Sequence, residues 1–190
     1  MTLGLFGGSF DPVHLGHLLV AQAACEELNL SRLFFIPAAQ SPFKPATQPA
    51  PAKERLRLLR LALAGEANYE IDEQELVRGG VSYTIDTVRN YITRFPTAAL
   101  FYLIGADHLP QLPKWREAEE LSNLVEFVVI PRPGEAPASL PPIFRLRTLT
   151  GFPLGVSSSQ IRARVRAGQS IRGLVPLAVE EAIRNNRLYL

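Results

Sequence analysis

Short apolar runs at residues 3–6, 33–36, 98–104 and 125–130, with weaker patterns at 69–72 and 144–149, predict the strands of this protein. Between them, apolar residues recur at helical spacing and predict helices at 16–28, 53–64, 84–95, 158–167 and 177–186. Apolar strands that alternate with helices are typical of a parallel sheet covered on both faces. The pattern therefore predicts an α/β fold, a Rossmann-like doubly wound parallel sheet with helices on both faces.

The composition is that of a globular protein, and its length predicts one domain, residues 1–190. With 47% apolar and 20% charged residues and a net charge of +2, nothing points to nucleic acid or a membrane as a partner. The single cysteine, Cys25, cannot form an internal disulfide. Because the pattern also contains no signal peptide and no apolar stretch of about 18 residues, we expect a cytoplasmic protein.

Ligands of a doubly wound sheet bind beyond the carboxyl ends of its strands. Four stretches of unusual composition follow predicted strands directly, at residues 7–17, 37–45, 105–115 and 131–134. The proline-rich loop that begins at residue 38 is long for a compact domain, and long loops of this kind are often functional. We expect this loop to close over a bound ligand.

The first of these stretches, GGSFDPVHLGH, combines two glycines with two histidines. Gly7 and Gly8 let the backbone pass close to a ligand, and a helix that begins near Gly16 offers its N–H groups to an anion. His14 and His17, three residues apart, can face the same anion and donate to phosphate oxygens. A glycine turn with two helix-capping histidines is the alternative. Two histidines alone do not complete a zinc site, and neither a dinucleotide fingerprint nor a Walker loop is present.

A second cluster near the C-terminus has the sequence SSSQIR. Ser157, Ser158 and Ser159 precede a predicted helix that carries Arg162 in its first turns. Serine hydroxyls and first-turn amides can form a second phosphate cradle. A bound anion would also offset the unfavourable position of an arginine near a helix N-terminus. A plain serine N-cap is the alternative.

These two motifs, in this order, resemble the signature motifs of the nucleotidyltransferase superfamily with H/T-x-G-H. More closely, the chain resembles the bacterial nicotinate-nucleotide adenylyltransferases over nearly its whole length. Further matching stretches are Lys44 after Pro42, residues 78–84, 104–107, Trp115, 132–134 and 174–176. Three positions depart from the usual pattern: Ser9 and Ser159 replace threonine, and Phe43 replaces the histidine before the lysine.

The resemblance implies an enzyme that transfers the adenylyl group of ATP to nicotinate mononucleotide and releases pyrophosphate. The attacking phosphate is already an anion, so the sequence needs no activated serine or paired carboxylates. The protein would position two charged molecules and stabilise the leaving pyrophosphate. The catalytic residues implied by the resemblance are His14, His17, Lys44 and Arg162. Mg²⁺ is the implied cofactor, held mainly by the ATP phosphates, and no residue is assigned as a metal ligand.

The resemblance also divides the remaining site residues between the two substrates. Asp107 is placed near the nucleotide ribose, with a helix N-cap as the alternative, and Trp115 is placed on the cationic pyridinium ring. Tyr83 and Thr84 form a turn that supplies an amide to the nicotinate carboxylate, and Ser82 or Thr84 is expected near the N-cap of the helix at 84–95. The residues assigned to ATP are Gly7, Gly8, Ser9, Phe10, Gly16, Gly105, Asp107, Ser157, Ser158 and Ser159. Those assigned to nicotinate mononucleotide are Tyr83, Thr84, Trp115 and Arg132, with a phosphate or adenine contact as the alternative for Arg132.

Three other functions fit parts of the pattern. Another adenylyltransferase, such as phosphopantetheine adenylyltransferase, shares the histidine motif, but that family is usually shorter and lacks the stretches around Ser82 and Trp115. The amide substrate, nicotinamide mononucleotide, is distinguished from the acid only by family likeness. A nucleotide-binding regulatory protein without turnover is disfavoured by the intact catalytic set. The sequence leaves open whether copies of the chain form a homo-oligomer.

Overall fold

The computed structural model describes residues 1–40, 42, 49–131, 143–151 and 154–190, and within them a parallel sheet of six strands. The strands lie in the order β3-β2-β1-β4-β5-β6, and every neighbouring pair is parallel. They are β1 (Thr2–Gly8), β2 (Arg32–Pro37), β3 (Tyr69–Ile71), β4 (Ala99–Gly105), β5 (Glu126–Ile130) and β6 (Leu146–Thr148). The predicted α/β parallel sheet is confirmed.

Seven α-helices and one 3₁₀ helix lie in the described part of the chain. They are α1 (Leu15–Leu28), α2 (Ala52–Ala62), α3 (Gln74–Arg78), α4 (Thr84–Arg94), the 3₁₀ helix (Ala106–Lys114), α5 (Ala118–Leu124), α6 (Ser158–Arg166) and α7 (Leu177–Asn185). None of these helices combines the length and the apolar character that a membrane crossing requires.

Every predicted helix and strand is present, with bounds that differ by at most two residues. The sequence reading missed α3, α5 and the 3₁₀ helix. Both α-helices are short, with 5 and 7 residues, so neither repeats an apolar face often enough to be recognised. The 3₁₀ helix contains Pro110 and Pro113, which end an α-helix but are tolerated in this segment.

The sheet buries both of its faces. In β2, Leu33 and Phe35 pack into one core, with α1, α2, α6 and α7, while Phe34 and Ile36 pack into the other, with α4, α5 and the 3₁₀ helix. Because neighbouring side chains point to opposite faces and both faces are covered, the strand has to be apolar throughout. This is the reason for the continuous apolar runs in the sequence.

The order of the strands reverses at β1, which lies between β2 and β4. From β1 the chain passes through α1 to β2 on one side, and it returns to β4 on the other side. Phe6 of β1 pairs with Leu103 of β4, so the carboxyl ends of the two strands lie at the same edge of the sheet. Such a switch point is where doubly wound sheets bind their ligands.

Asp72 follows the edge strand β3 and joins the end of this strand to α3 and α4. Its carboxylate accepts hydrogen bonds from the hydroxyl of Tyr91 at 2.6 Å, from Arg94 at 2.7 Å and from the backbone N–H of Gln74 at 3.0 Å. Burial alone would raise the pKa of Asp72, but these donors outweigh it and hold the pKa below its usual value.

We expect Asp72→Asn to lower the free energy of unfolding at pH 7 by about 1–3 kcal/mol, because donors to a charged acceptor are lost. The folded pKa is depressed, so this stabilisation is present above the unfolded pKa of about 3.9 and is lost as the pH falls through the folded value. Urea unfolding at pH 7 and at pH 3 checks both points, with exposed Glu70→Gln as the control. A difference that is equal at both pH values would contradict the role of the charge.

Candidate active site

The end of β1 carries two glycines because neighbouring side chains occupy the space that a side chain would need. A Cβ atom on Gly7 would lie 2.5 Å from the hydroxyl oxygen of Tyr102, and one on Gly8 would lie 3.1 Å from the ring of Phe10. Neither glycine has a positive φ. The requirement at both positions is therefore close packing at the strand end, not an unusual backbone conformation.

His14 and His17 lie together at the start of α1. Their imidazole rings stack with centroids 3.7 Å apart and planes 24° apart. The backbone N–H of His14 donates to Nδ1 of His17 at 3.2 Å. Burial, and then the neighbouring imidazole of His14, lower the pKa of His17 well below its ordinary value. His17 is therefore neutral at pH 7, with Nδ1 as an acceptor and the proton on Nε2.

Two neighbours fix the positions of these rings. Phe10 is buried, with its ring centroid 5.0 Å from that of His17 in an edge-on contact. A Cβ atom on Gly16 would lie 3.0 Å from Nδ1 of His14, so a side chain at this position would displace the imidazole. The side chain of Phe10 belongs to the core, so any contact of this residue with a nucleotide would involve its backbone.

The serine cluster and its arginine are joined to the middle of the GGSFDPVHLGH stretch by two hydrogen bonds. The hydroxyl of Ser158 donates to the carbonyl of Pro12 at 2.8 Å, and the guanidinium of Arg162 donates to the carbonyl of Asp11 at 2.6 Å. The same guanidinium nitrogen lies 3.7 Å from the carboxylate of Asp11. The two candidate phosphate cradles, distant in sequence, thus lie side by side.

The alternative of a serine N-cap is correct for Ser157. Its side-chain oxygen accepts from the backbone N–H of Gln160 at 3.2 Å, and Oε1 of Gln160 accepts from the backbone N–H of Ser157 at 2.9 Å, which completes a capping box. Ser159 is exposed. Since the hydroxyls of Ser157 and Ser158 are engaged within the protein, the N–H groups of the first turn of α6 remain the better anion donors.

The sequence reading missed two buried charged residues beneath this site, Asp11 and Arg55. Arg55 of α2 is 2% exposed, and its guanidinium donates to the carbonyl of Ser9 at 2.8 Å and to that of Ala50 at 3.0 Å. The carboxylate of Asp11 accepts from the N–H of Ala50 at 3.3 Å. Arg55 shares a helix face with the buried residues Leu58 and Leu59, and an arginine on the apolar face was the signal available in the sequence.

A separate cavity of about 80 Å³ brings together most of the residues assigned to the nicotinate end. It is lined by Pro42, Ser82, Tyr83, Thr84, Lys114, Trp115, Arg116 and Leu121. The indole of Trp115 is held edge-on by two rings of the core, those of Tyr102 at 6.1 Å and Phe127 at 6.2 Å. The guanidinium of Arg116 lies 4.9 Å from the ring centroid of Tyr83. A larger cavity of about 490 Å³ lies along α6, and no predicted site residue lines it.

The N-terminus of α4 opens into the 80 Å³ cavity, but its N-cap residue is Tyr83. Ser82 and Thr84 flank this N-cap, as expected, but neither hydroxyl caps the helix, because both bond elsewhere. Ser82 accepts from the N–H of Ala39 at 3.0 Å, and Thr84 donates to the hydroxyl of Tyr102 at 3.3 Å. Neither hydroxyl therefore caps the first-turn N–H groups of α4, of which that of Asp86 donates to the carbonyl of Tyr83 at 3.2 Å.

At the end of β4, Gly105 is the N-cap of the 3₁₀ helix and Asp107 lies in its first turn, so Asp107 is not the cap. A Cβ atom on Gly105 would lie 2.4 Å from the carboxylate of Asp107, so a side chain at this position would displace that carboxylate. Lys44, Arg132 and Phe43 lie outside the described residues, as do residue 41 and the rest of 43–48 in the loop that begins at residue 38. Within the described ranges, no group of three or more His, Cys, Asp or Glu residues is placed to hold a metal ion.

Comparison with known proteins gives the same family for the whole chain. The family model for cytidylyltransferase-like proteins matches residues 5–164. A protein of Opitutus terrae named "Probable nicotinate-nucleotide adenylyltransferase" is 42% identical over 192 residues, covering 100% of this chain and 98% of its own. A protein of the same name from Thermus thermophilus is also 42% identical, with full coverage of both chains.

A solved structure supports the fold. The nicotinic acid mononucleotide adenylyltransferase of Plasmodium falciparum, complexed with NaAD, superposes with a TM-score of 0.78. It covers 99% of this chain and 97% of its own at 17% identity. At this identity the likeness carries the fold alone.

We expect the imidazole of His17 to stay neutral between pH 6 and pH 8, because its pKa lies well below the ordinary value of about 6.5. Nitrogen NMR shifts of the imidazole measure this directly, with His17→Gln identifying the resonances. They should show a protonated Nε2 and an unprotonated Nδ1 throughout this range. Titration at the ordinary value would mean that the buried, stacked arrangement is absent in solution.

Proposed function

This chain belongs to the cytidylyltransferase-like family and, within it, to the nicotinate-nucleotide adenylyltransferases, and we propose from that membership how it works. The enzyme transfers the adenylyl group of ATP to nicotinate mononucleotide, giving nicotinate adenine dinucleotide and pyrophosphate. A phosphate oxygen of the mononucleotide forms a bond to the α-phosphorus of ATP. The bond from that phosphorus to the bridging oxygen breaks, and pyrophosphate leaves with the electron pair.

The reaction depends on positioning the two substrates and on electrostatic stabilisation of the leaving group, not on proton transfer. The nucleophile is a phosphate that is already ionised at neutral pH, so no general base is needed. The leaving pyrophosphate gains negative charge in the transition state, and donors fixed in advance lower the barrier most. Holding two highly charged substrates at reacting distance is the second contribution.

The ATP phosphates lie, in this proposal, where the end of β1 meets the N-termini of α1 and α6. Gly7 and Gly8 leave the strand end without side chains, and two helix N-termini contribute N–H groups. His17 donates from Nε2, because its Nδ1 is occupied by the His14 N–H. Arg162 supplies a fixed positive charge, held by its bond to the Asp11 carbonyl.

Other predicted ATP contacts have supporting roles. Ser9 and Phe10 present backbone to the nucleotide, Asp107 accepts from the ribose hydroxyls, and Gly105 allows the Asp107 side chain its position. Lys44 and Arg132 are assigned to phosphate and substrate contacts on the resemblance alone. Enzymes of this family use ATP together with a divalent metal ion. We propose Mg²⁺, held mainly by the phosphates, because this ion retains several of its waters.

The observation that carries the nicotinate assignment is the cavity shared by Trp115 and the N-terminus of α4. A tryptophan face suits a cationic pyridinium ring, and it is held rigidly by the aromatic contacts behind it. The first-turn amides of α4, beside Tyr83 and Thr84, suit a carboxylate because they carry the positive end of the helix dipole. These two features together favour the acid form of the substrate.

We expect nicotinate mononucleotide to exceed nicotinamide mononucleotide in kcat/KM by about 10–100-fold. In the amide, an NH₂ group faces amide donors and leaves them poorly paired, at a cost of about 1–3 kcal/mol. Pyrophosphate release with ATP and each acceptor measures this, and phosphopantetheine and no acceptor are the controls. Equal kcat/KM values for acid and amide would refute the assignment of the α4 amides. Pyrophosphate release with phosphopantetheine as the only active acceptor would refute the function.

We expect His17→Ala to lower kcat by about 10²–10³, the usual size for the loss of one preorganised donor. The fold should survive, because His17 lies in the first turn of α1 at the edge of the core, where a polar side chain contributes little to packing. Turnover and melting temperature are measured together. Near-normal turnover with a large loss of thermal stability would mean that the histidine only caps the helix.

A further inference from the structure

Glu75 of α3 is a buried carboxylate that none of the proposed catalytic steps uses. It is 5% exposed and lies behind the turn that carries Ser82 and Thr84. The hydroxyl of Thr87, in the first turns of α4, donates to Oε1 of Glu75 at 2.6 Å. Ser82, directly before α4, lies beside the same carboxylate, and its hydroxyl favours the charged form. One side chain thus contacts the chain on both sides of the α4 N-terminus.

Each hydroxyl in this network is both donor and acceptor. Oγ1 of Thr87 accepts from the guanidinium of Arg78 at 3.3 Å, and Oγ of Ser82 accepts from the N–H of Ala39 at 3.0 Å. Each hydroxyl has one proton to donate, and that of Thr87 goes to Glu75. An ionised carboxylate, which accepts and does not donate, is the partner that suits these hydroxyls.

The network reaches from α4 to the end of β2. The N–H of Ser82 donates to the carbonyl of Gln40 at 2.9 Å, next to the bond between Ala39 and the Ser82 hydroxyl. A buried carboxylate is unfavourable on its own, and burial raises the pKa of Glu75 while the two hydroxyls and the Arg78 charge oppose that effect. A side chain so costly to bury is retained only where its partners compensate for it.

We propose that Glu75 is a positioning residue for the nicotinate subsite: through Ser82 and Thr87 it sets where the N-terminal amides of α4 stand. The proposal rests on the proposed function, since it assumes that these amides receive the nicotinate carboxylate. Glu75 itself does not line the cavity, whereas Ser82 does. Loss of the carboxylate should therefore displace the amides from the substrate while leaving the phosphate site at β1 and α6 unchanged.

The test compares Glu75→Gln with Glu73→Gln, a control two residues away in sequence whose carboxylate is paired with Arg60 at the surface. For Glu75→Gln we expect the KM for nicotinate mononucleotide to rise about tenfold, the equivalent of about 1.4 kcal/mol. The KM for ATP and kcat at saturating substrate should stay within about twofold. Ser82→Ala should give a similar rise, and the double variant should add little to it, because both changes remove one shared contact.

A merely structural role predicts a different result. Glu75→Gln would then lower the melting temperature without separating the two KM values, and that outcome overturns the proposal, as does a rise in both KM values together. If Glu75→Gln fails to fold, Ser82→Ala is measured in its place. A rise in its KM for nicotinate mononucleotide without a rise in its KM for ATP supports the proposal, and a rise in both or in neither overturns it. Calorimetric binding of nicotinate mononucleotide to the unaltered protein distinguishes the two proposals: no binding and no turnover refute the function and this role with it, whereas unaltered binding by the variants refutes this role alone.

Discussion

A sheet whose strands all run in one direction must send each connection back across a face, so both faces become buried. In this chain that constraint decides almost everything else. It makes the strands apolar throughout, and it places one core on each face of the sheet. It also brings the carboxyl ends of β1 and β4 to one edge of the sheet. The polar residues that a catalytic site needs can therefore lie only in the segments that leave this edge.

The features that depend on repetition could be predicted from the sequence. Apolar runs and helical spacing gave the strands and the longer helices, and the strand ends gave the segments that carry the site. The pairing of His14 with His17 followed from their spacing. The resemblance assigned Trp115 and Tyr83 to the same substrate, and the structure places both on one cavity.

What the sequence could not give depends on contacts between distant residues. That Gly7 is required by the Tyr102 hydroxyl, and that Ser82 bonds to Ala39 rather than capping α4, are facts of tertiary packing. The stacking of the two imidazoles, and with it the tautomer of His17, needs their three-dimensional placement. Arg55 and Asp11 were missed for another reason, because a charged side chain is ordinarily expected at the surface, although the position of Arg55 on the apolar face of α2 was a usable signal.

Tyr102 has a consequence for how this chain can vary. Its hydroxyl lies against the position of Gly7, at the end of β1, and it also accepts the hydrogen bond of Thr84, at the start of α4. One rigid side chain, held edge-on between aromatic neighbours, thus touches both halves of the site and fixes the spacing between them. During evolution, a methyl group gained at position 7 has room only if the hydroxyl at position 102 is lost, and Thr84 then loses its partner. We therefore expect substitutions at positions 7, 84 and 102 to occur together, although these residues lie in three different elements of the fold.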